Sequence, residues 1–154
     1  MKKRILAALC AFVLVLGLTA CAAKQPTCTL TVTCETALGS SELSAEKASA
    51  LPADGYLLNA EAVKFTEGES VLDVLKSAAQ ANSLTLDIID GEYVYVNAIG
   101  PLAGGDAGMM SGWMVSVNGE YPSVSAAEVT VQAGDAIVFS YTCDGGADLG
   151  LSWD

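Results

Sequence analysis

No histidine occurs anywhere in the 154 residues. That absence removes the commonest general base, the commonest transition-metal ligand and every nucleophile pair built on imidazole, so the chain is not expected to be an enzyme. Positive charge is scarce as well: seven Lys and Arg stand against eighteen Asp and Glu, a formal net charge of −11. Such a surface repels polyanions and anionic headgroups, which excludes a nucleic-acid partner. The carboxylates are scattered over loops and strand ends, where they read as solvating charge. Asp144 and Asp148 offer oxygens near the C-terminus, but their spacing departs from the Asp-x-Asp-x-Asp-Gly calcium loop and no metal site is expected. Gly104-Gly105 and Gly145-Gly146 lie in no phosphate-loop context, and no cofactor is expected.

Long hydrophobic runs are also missing. Ahead of Cys21, Ile5 to Ala20 is an uncharged, mostly apolar stretch of 16 residues, short of the about 20 that a spanning helix needs. It follows the basic cluster Lys2-Lys3-Arg4 and ends in small residues, as an export signal does. Leu18-Thr19-Ala20-Cys21 resembles the lipobox of bacterial lipoproteins. That resemblance implies cleavage before Cys21 and a diacylglycerol on its thiol; a plain secretory signal or an uncleaved anchor is the alternative. The expected order is a signal peptide over 1–20, a lipidated tether over 21–27 and one domain over 28–154, held by lipid at the extracellular face of the cell membrane. Loss of residues 1–20 removes three basic residues, leaving four against eighteen acids, or −14.

Cysteine is too sparse for a disulfide scaffold. With Cys10 in the signal and Cys21 lipidated, Cys28, Cys34 and Cys143 remain. In CTLTVTC the two cysteines share one strand face, yet a straight strand holds them about 20 Å apart, too far to pair. Either can pair with Cys143, leaving one thiol over, or all three are small buried hydrophobes.

The clearest element is GESVLDVLKSAAQANS. Ser70 reads as an N-cap, with Asp73 three residues on in a capping-box-like arrangement. Val71, Val74, Leu75 and Ala78 keep the spacing of one buried helical face, Leu72 and Ala79 widen it, and Asn82 is the stop. A helical turn is predicted around 44–50, closed by Pro52 and Gly55. Elsewhere the pattern is strand-like: 28–37, a strand pair within 56–65, then 84–89 and 93–99 across Asp90-Gly91. The stretch GPLAGGDAGMM reads as a loop. Asn118-Gly119 predicts a type I′ turn between 113–117 and the residues after Glu120. Residues 129–131 and 136–143 form a further pair across Ala-Gly-Asp, and the tail reads as a loop. One main helix among many strands points to an α+β domain.

Aromatics are few, yet Met109, Met110, Trp113, Met114 and Tyr121 fall within thirteen residues. Trp and Met supply adaptable contact area for a large flat ligand. In a two-residue hairpin Trp113, Val115 and Val117 share one face and Met114 and Ser116 the other, so Trp113 is either core or binding surface.

The run from Gly68 to Tyr141 resembles the transcobalamin-like C-terminal domain, a β-grasp family that binds soluble ligands. The landmarks are GESVLDVLKSAAQ, YVYVNAIGPLAG, SGWMVSVNGEYPSV and QAGDAIVFSYTCD, preceded by CTLTVTCETAL. The resemblance implies a β-grasp-like mixed sheet packed on a single main helix, and a corrinoid as ligand. It places Trp113 at the aromatic position, with Met114 beside it. Tyr121, Ser123, Val124 and Ser125 fall on the segment that approaches the ligand, and Ile99, Gly100 and Leu102 on the neighbouring turn. Two departures stand out: GGDAGMMSG lacks a cysteine carried by many relatives, which leaves Cys143 without its partner, and the helical barrel that closes the site in cobalamin carriers is missing. A half-site binds weakly because one ligand face stays solvated, so a partner protein, a second domain or a dimer is expected to complete it. The expected function is thus non-enzymatic ligand binding by a membrane-anchored extracellular lipoprotein, with a protein-interaction or adhesion module on the same aromatic hairpin as the alternative.

Overall fold

The computed structural model describes residues 24–152. The predicted signal peptide, the lipidation site Cys21 and residues 153–154 lie outside the described residues. Among the described residues, no helix is long and apolar enough to cross a membrane.

The strands fall into two sheets. The larger has the order β2-β1-β7-β6, built from β2 (Tyr56–Lys64), β1 (Thr27–Thr33), β7 (Ala136–Thr142) and β6 (Gly112–Val117). The smaller has the order β3-β4-β5, from β3 (Leu86–Ile89), β4 (Tyr95–Ile99) and β5 (Leu102–Ala103). β1 pairs with β2 antiparallel and with β7 parallel, so the larger sheet is mixed. Period-2 alternation turns Cys28, Leu30, Val32 and Cys34 inward and the intervening threonines outward. The short helix α1 (Ala45–Ala50) is capped by Ser44 and tied by the Lys47–Asp106 ion pair to the loop after β5.

The main helix, α2 (Val71–Ala81), follows its predicted boundaries. Ser70 Oγ accepts from Asp73 N at 3.2 Å, and the Asp73 carboxylate accepts from Ser70 N at 3.0 Å, which completes the capping box. The six buried helix residues are Val71, Leu72, Val74, Leu75, Ala78 and Ala79, the face expected from spacing. Val71, Leu72, Val74, Leu75 and Ala78 pack with Leu30, Val32, Phe65, Ile99, Ile137 and Phe139 in the main core. A second, smaller core gathers Cys34, Leu43, Leu51, Leu102 and Tyr141.

Several expectations are corrected. β1 ends at Thr33 rather than 37, because Cys34 N bonds Gly55 O at 2.7 Å and the chain turns into a 3-10 helix, Glu35–Ala37. Gly55 has φ +76°, and a Cβ there would meet Glu35 Cγ at 2.6 Å, so only glycine fits the turn. Residues 56–64 form one strand, not two. Its register slips around Ala60, whose φ is +49° and whose N–H donates to Thr31 Oγ1. Asn118 and Gly119 do adopt positive φ in a tight turn, but no strand follows Glu120. The seat beside β6 belongs to β7, locked by Asn118 N to Ala136 O at 2.8 Å and Ala136 N to Asn118 Oδ1 at 2.9 Å. Residues 129–131 pair with the helix entry, not with β7: Val71 N reaches Val129 O and Val131 N reaches Glu69 O. The glycine-rich loop contains β5, and the tail contains a 3-10 helix, Ala147–Leu149. Cys28, Cys34 and Cys143 are free thiols; Cys28 lies in the main core, Cys34 in the smaller one, and Cys143 Sγ bonds Thr36 O.

Two substitutions separate end effects from packing in α2. Ser70→Ala removes the cap acceptor and is expected to lower unfolding stability by about 1 kcal/mol. Leu75→Ala empties a fully buried site and costs about 2–5 kcal/mol. Urea unfolding followed by far-UV circular dichroism measures both; equal losses would contradict this assignment.

Candidate functional site

Trp113 bridges the two cores. Its indole Nε1–H donates to Leu102 O at 2.9 Å, and its ring meets Tyr141 edge-on, with centroids 5.2 Å apart at 74°. The Tyr141 hydroxyl in turn donates to Ala103 O at 2.7 Å and stands 2.9 Å from Ser111 Oγ. Burial, foremost, raises the Tyr141 pKa. Trp113 is half-buried with its polar atom committed, while Ile99 and Leu102 are fully buried. Their side chains serve the core, and Gly100 alone of that predicted turn is partly open. Met114 points to the opposite face of β6, where Gly146 leaves it room: a Cβ there would lie 3.1 Å from Met114 Sδ. The predicted site residues therefore do not share one surface.

The segment after Glu120 meets a concave surface only at Ala127; Tyr121, Ser123, Val124 and Ser125 are not among the residues that line it. Ser125 Oγ donates to Val94 O at 2.5 Å and accepts from Ala127 N, with exposed Ser123 and Val124 and half-buried Tyr121 preceding it. Leu72 N bonds Ala126 O at 3.0 Å, so this segment lies against the start of α2. Between them opens a groove of about 430 Å³. Ser70, Leu72, Asp73 and Lys76 line it from α2, Ile88, Asp90 and Val94 from the β3–β4 hairpin, and Ala127 from the connecting segment. Its size falls within the range of small-molecule sites.

In the groove two carboxylates, Asp73 and Asp90, stand against one ammonium, Lys76. A helix start ordinarily offers free N–H groups to an anion. Here Val71 N is bonded to Val129 O, Leu72 N to Ala126 O, Asp73 N to Ser70 Oγ and Val74 N to Ser70 O. Hydrogen bonds from Ser70, side chain first, hold the Asp73 carboxyl below its usual range. Lys76 is the last basic residue of the chain; none occurs from 77 to 154. With two acids against one cation and the helix-entry N–H groups occupied, the groove favours ligands with an apolar body and hydrogen-bond donors at the rim. Among the described residues no group of three or more His, Cys, Asp or Glu side chains is gathered as metal ligands would be. Sequence reasoning missed the groove because its walls come from three separate segments. The signal that was available is the absence of basic residues after Lys76.

Residues 68–143 match the model of a domain of unknown function, DUF4430. No curated protein matches the chain. Among solved structures, a candidate metal-binding protein from Ruminococcus gnavus ATCC 29149 aligns with a TM-score of 0.50 at 19% identity, over 77% of this chain and 97% of the other. Haptocorrin in complex with Cbi aligns with a TM-score of 0.52 at 15% identity, over 77% of this chain and 26% of haptocorrin. At these identities the likeness is one of fold, and it agrees with the transcobalamin-like architecture expected from the motifs.

The smaller core behind Trp113 makes a pH prediction. Burial, then the charges of Asp54 and Glu35, push the Cys34 thiol up from 9.0 to about 11. A pKa raised in the folded state gives stability that is complete below the unfolded value and lost as pH rises through the folded one. The urea midpoint should therefore hold steady to about pH 9 and fall between pH 9 and 11. Cys34→Ala should flatten part of that slope. A midpoint unchanged across the window would refute the burial argument.

Proposed function

We propose that this chain is a non-enzymatic binding domain that holds a soluble, largely flat ligand in the groove between α2, the β3–β4 hairpin and Ala127. The observation that carries the reading is a pre-formed concavity with apolar walls, whose rim sets Asp73 and Asp90 against the single cation Lys76 and whose helix-entry N–H groups are already bonded. Leu72, Ile88, Val94 and Ala127 would contact the ligand body, while Asp73 and Asp90 would accept from its amides or amines. A corrinoid fits this chemistry through its broad ring and peripheral amides, and haptocorrin, one of the fold relatives, is crystallised with Cbi. The groove is open on one side and covers one ligand face, so a second protein or domain would raise the affinity. The Cys21 lipid would hold this domain at the extracellular face of the membrane.

Calorimetric titration of the chain with cobinamide and with cobalamin tests the proposal. Saturable heat is expected, with cobinamide, which lacks the nucleotide phosphate, bound the more tightly. Ala127→Arg should fill the groove and weaken binding at least tenfold. Unchanged affinity in that variant would remove the groove from the reading, and no heat at high micromolar concentration would remove the corrinoid.

A further inference from the structure

The β3–β4 hairpin has two sides. Ile88 and Val94 face the groove, whereas Ile89 and Tyr95 stand directly opposite each other on the outer side. They are 41% and 52% exposed, and Tyr93 at the turn is 76% exposed. Three of the seven large hydrophobic side chains exposed among the described residues therefore sit on this one hairpin. Exposed apolar groups clustered on a strand pair mark an interaction surface.

The strand that carries Ile89 is also an open edge. β3 is the outermost strand of its sheet. Gly100 N donates to Thr85 O at 2.8 Å, so antiparallel alternation turns the N–H and C=O of Leu86 away from β4. Natural edges are usually blunted by Lys, Pro or a bulge. LTLDII has neither residue, and the register shift between Asp87 and Ile88 places its extra residue, Asn97, on β4. The edge strand itself runs uninterrupted.

Charge selects the occupant. Asp87, Asp90 and Glu92 are exposed on the hairpin, and no Lys or Arg follows Lys76 in the chain. A second copy of the chain would set these acids against their own kind, and an anionic membrane would be repelled. We propose that the outer side of this hairpin docks an extended, basic segment of a partner protein. That segment adds as a strand along β3, lays alternate apolar side chains on Ile89 and Tyr95, and turns its Lys or Arg residues toward Asp87 and Glu92, which lie outside the groove. The site lies on the side of the hairpin away from the groove and does not depend on what the groove holds.

The test uses the full chain in detergent micelles and a fluorescent ten-residue peptide alternating Lys with Val or Tyr, followed by anisotropy. Saturable binding is expected that weakens with salt and falls at least tenfold for Ile89→Lys and for Tyr95→Lys. N-methylation of alternate peptide amides should abolish it, because the ladder cannot form, while Ala127→Arg in the groove should leave it unchanged. The proposal is overturned if a Glu-for-Lys peptide or the N-methylated peptide binds as well as the parent. It is likewise overturned if the two hairpin variants bind normally, or if sedimentation shows a dimer of the chain that Tyr95→Lys disperses.

Discussion

The parallel pairing of β1 with β7 governs the rest of the molecule. Thr29 to Thr33 lie in register with Ala136 to Ser140, so the first and last strands run side by side in the same direction. A parallel pair cannot be closed by a tight turn; the chain must travel back past the sheet before β7 begins. All that lies between Cys34 and Asp135 is that return path, including α2 and the whole smaller sheet. Leu30, Val32, Ile137 and Phe139 form one apolar face along the pair, and α2 covers it with Val71, Val74 and Leu75. Burial of that face, rather than helix propensity alone, keeps an eleven-residue helix formed.

The helix entry carries the functional consequences of this packing. α2 enters beneath the segment 125–131, which supplies carbonyls to the N–H groups of Val71 and Leu72. Those bonds fasten the segment before β7 to the helix and leave no backbone donor at the helix entry for an anion. The same contact leaves a gap toward the β3–β4 hairpin, and that gap is the groove. A structural requirement, satisfaction of a helix terminus, thereby sets the ligand chemistry that the neighbouring surface accepts.

The hairpin separates two kinds of contact. Side chains of alternate residues leave a strand on opposite faces, so Ile88 and Val94 serve the concave side while Ile89 and Tyr95 serve the convex one. The groove has the shape of a small-molecule site; the convex face has an open edge, aromatic area and unopposed negative charge, which suit another chain.

Local chemistry made much of the fold legible. Ser70, Asp73 and a 3.6-residue apolar period are enough to place α2, since caps and helix contacts join residues three or four apart. Asn118-Gly119 marks its turn for the same reason: both positions tolerate positive φ. The missing histidine and the excess of acid are read from composition alone. Tertiary structure decided which strand sits beside β6. Residues 120–125 are nearer in sequence, but β7 buries Ile137, Phe139 and Tyr141 against Val117, Val115 and Trp113, an outcome that pattern within one segment cannot weigh. It also decided that Trp113 joins two cores while Tyr93 and Tyr95 stand in solvent. Alternation tells which residues share a face; which face is buried depends on what the remainder of the chain brings against it.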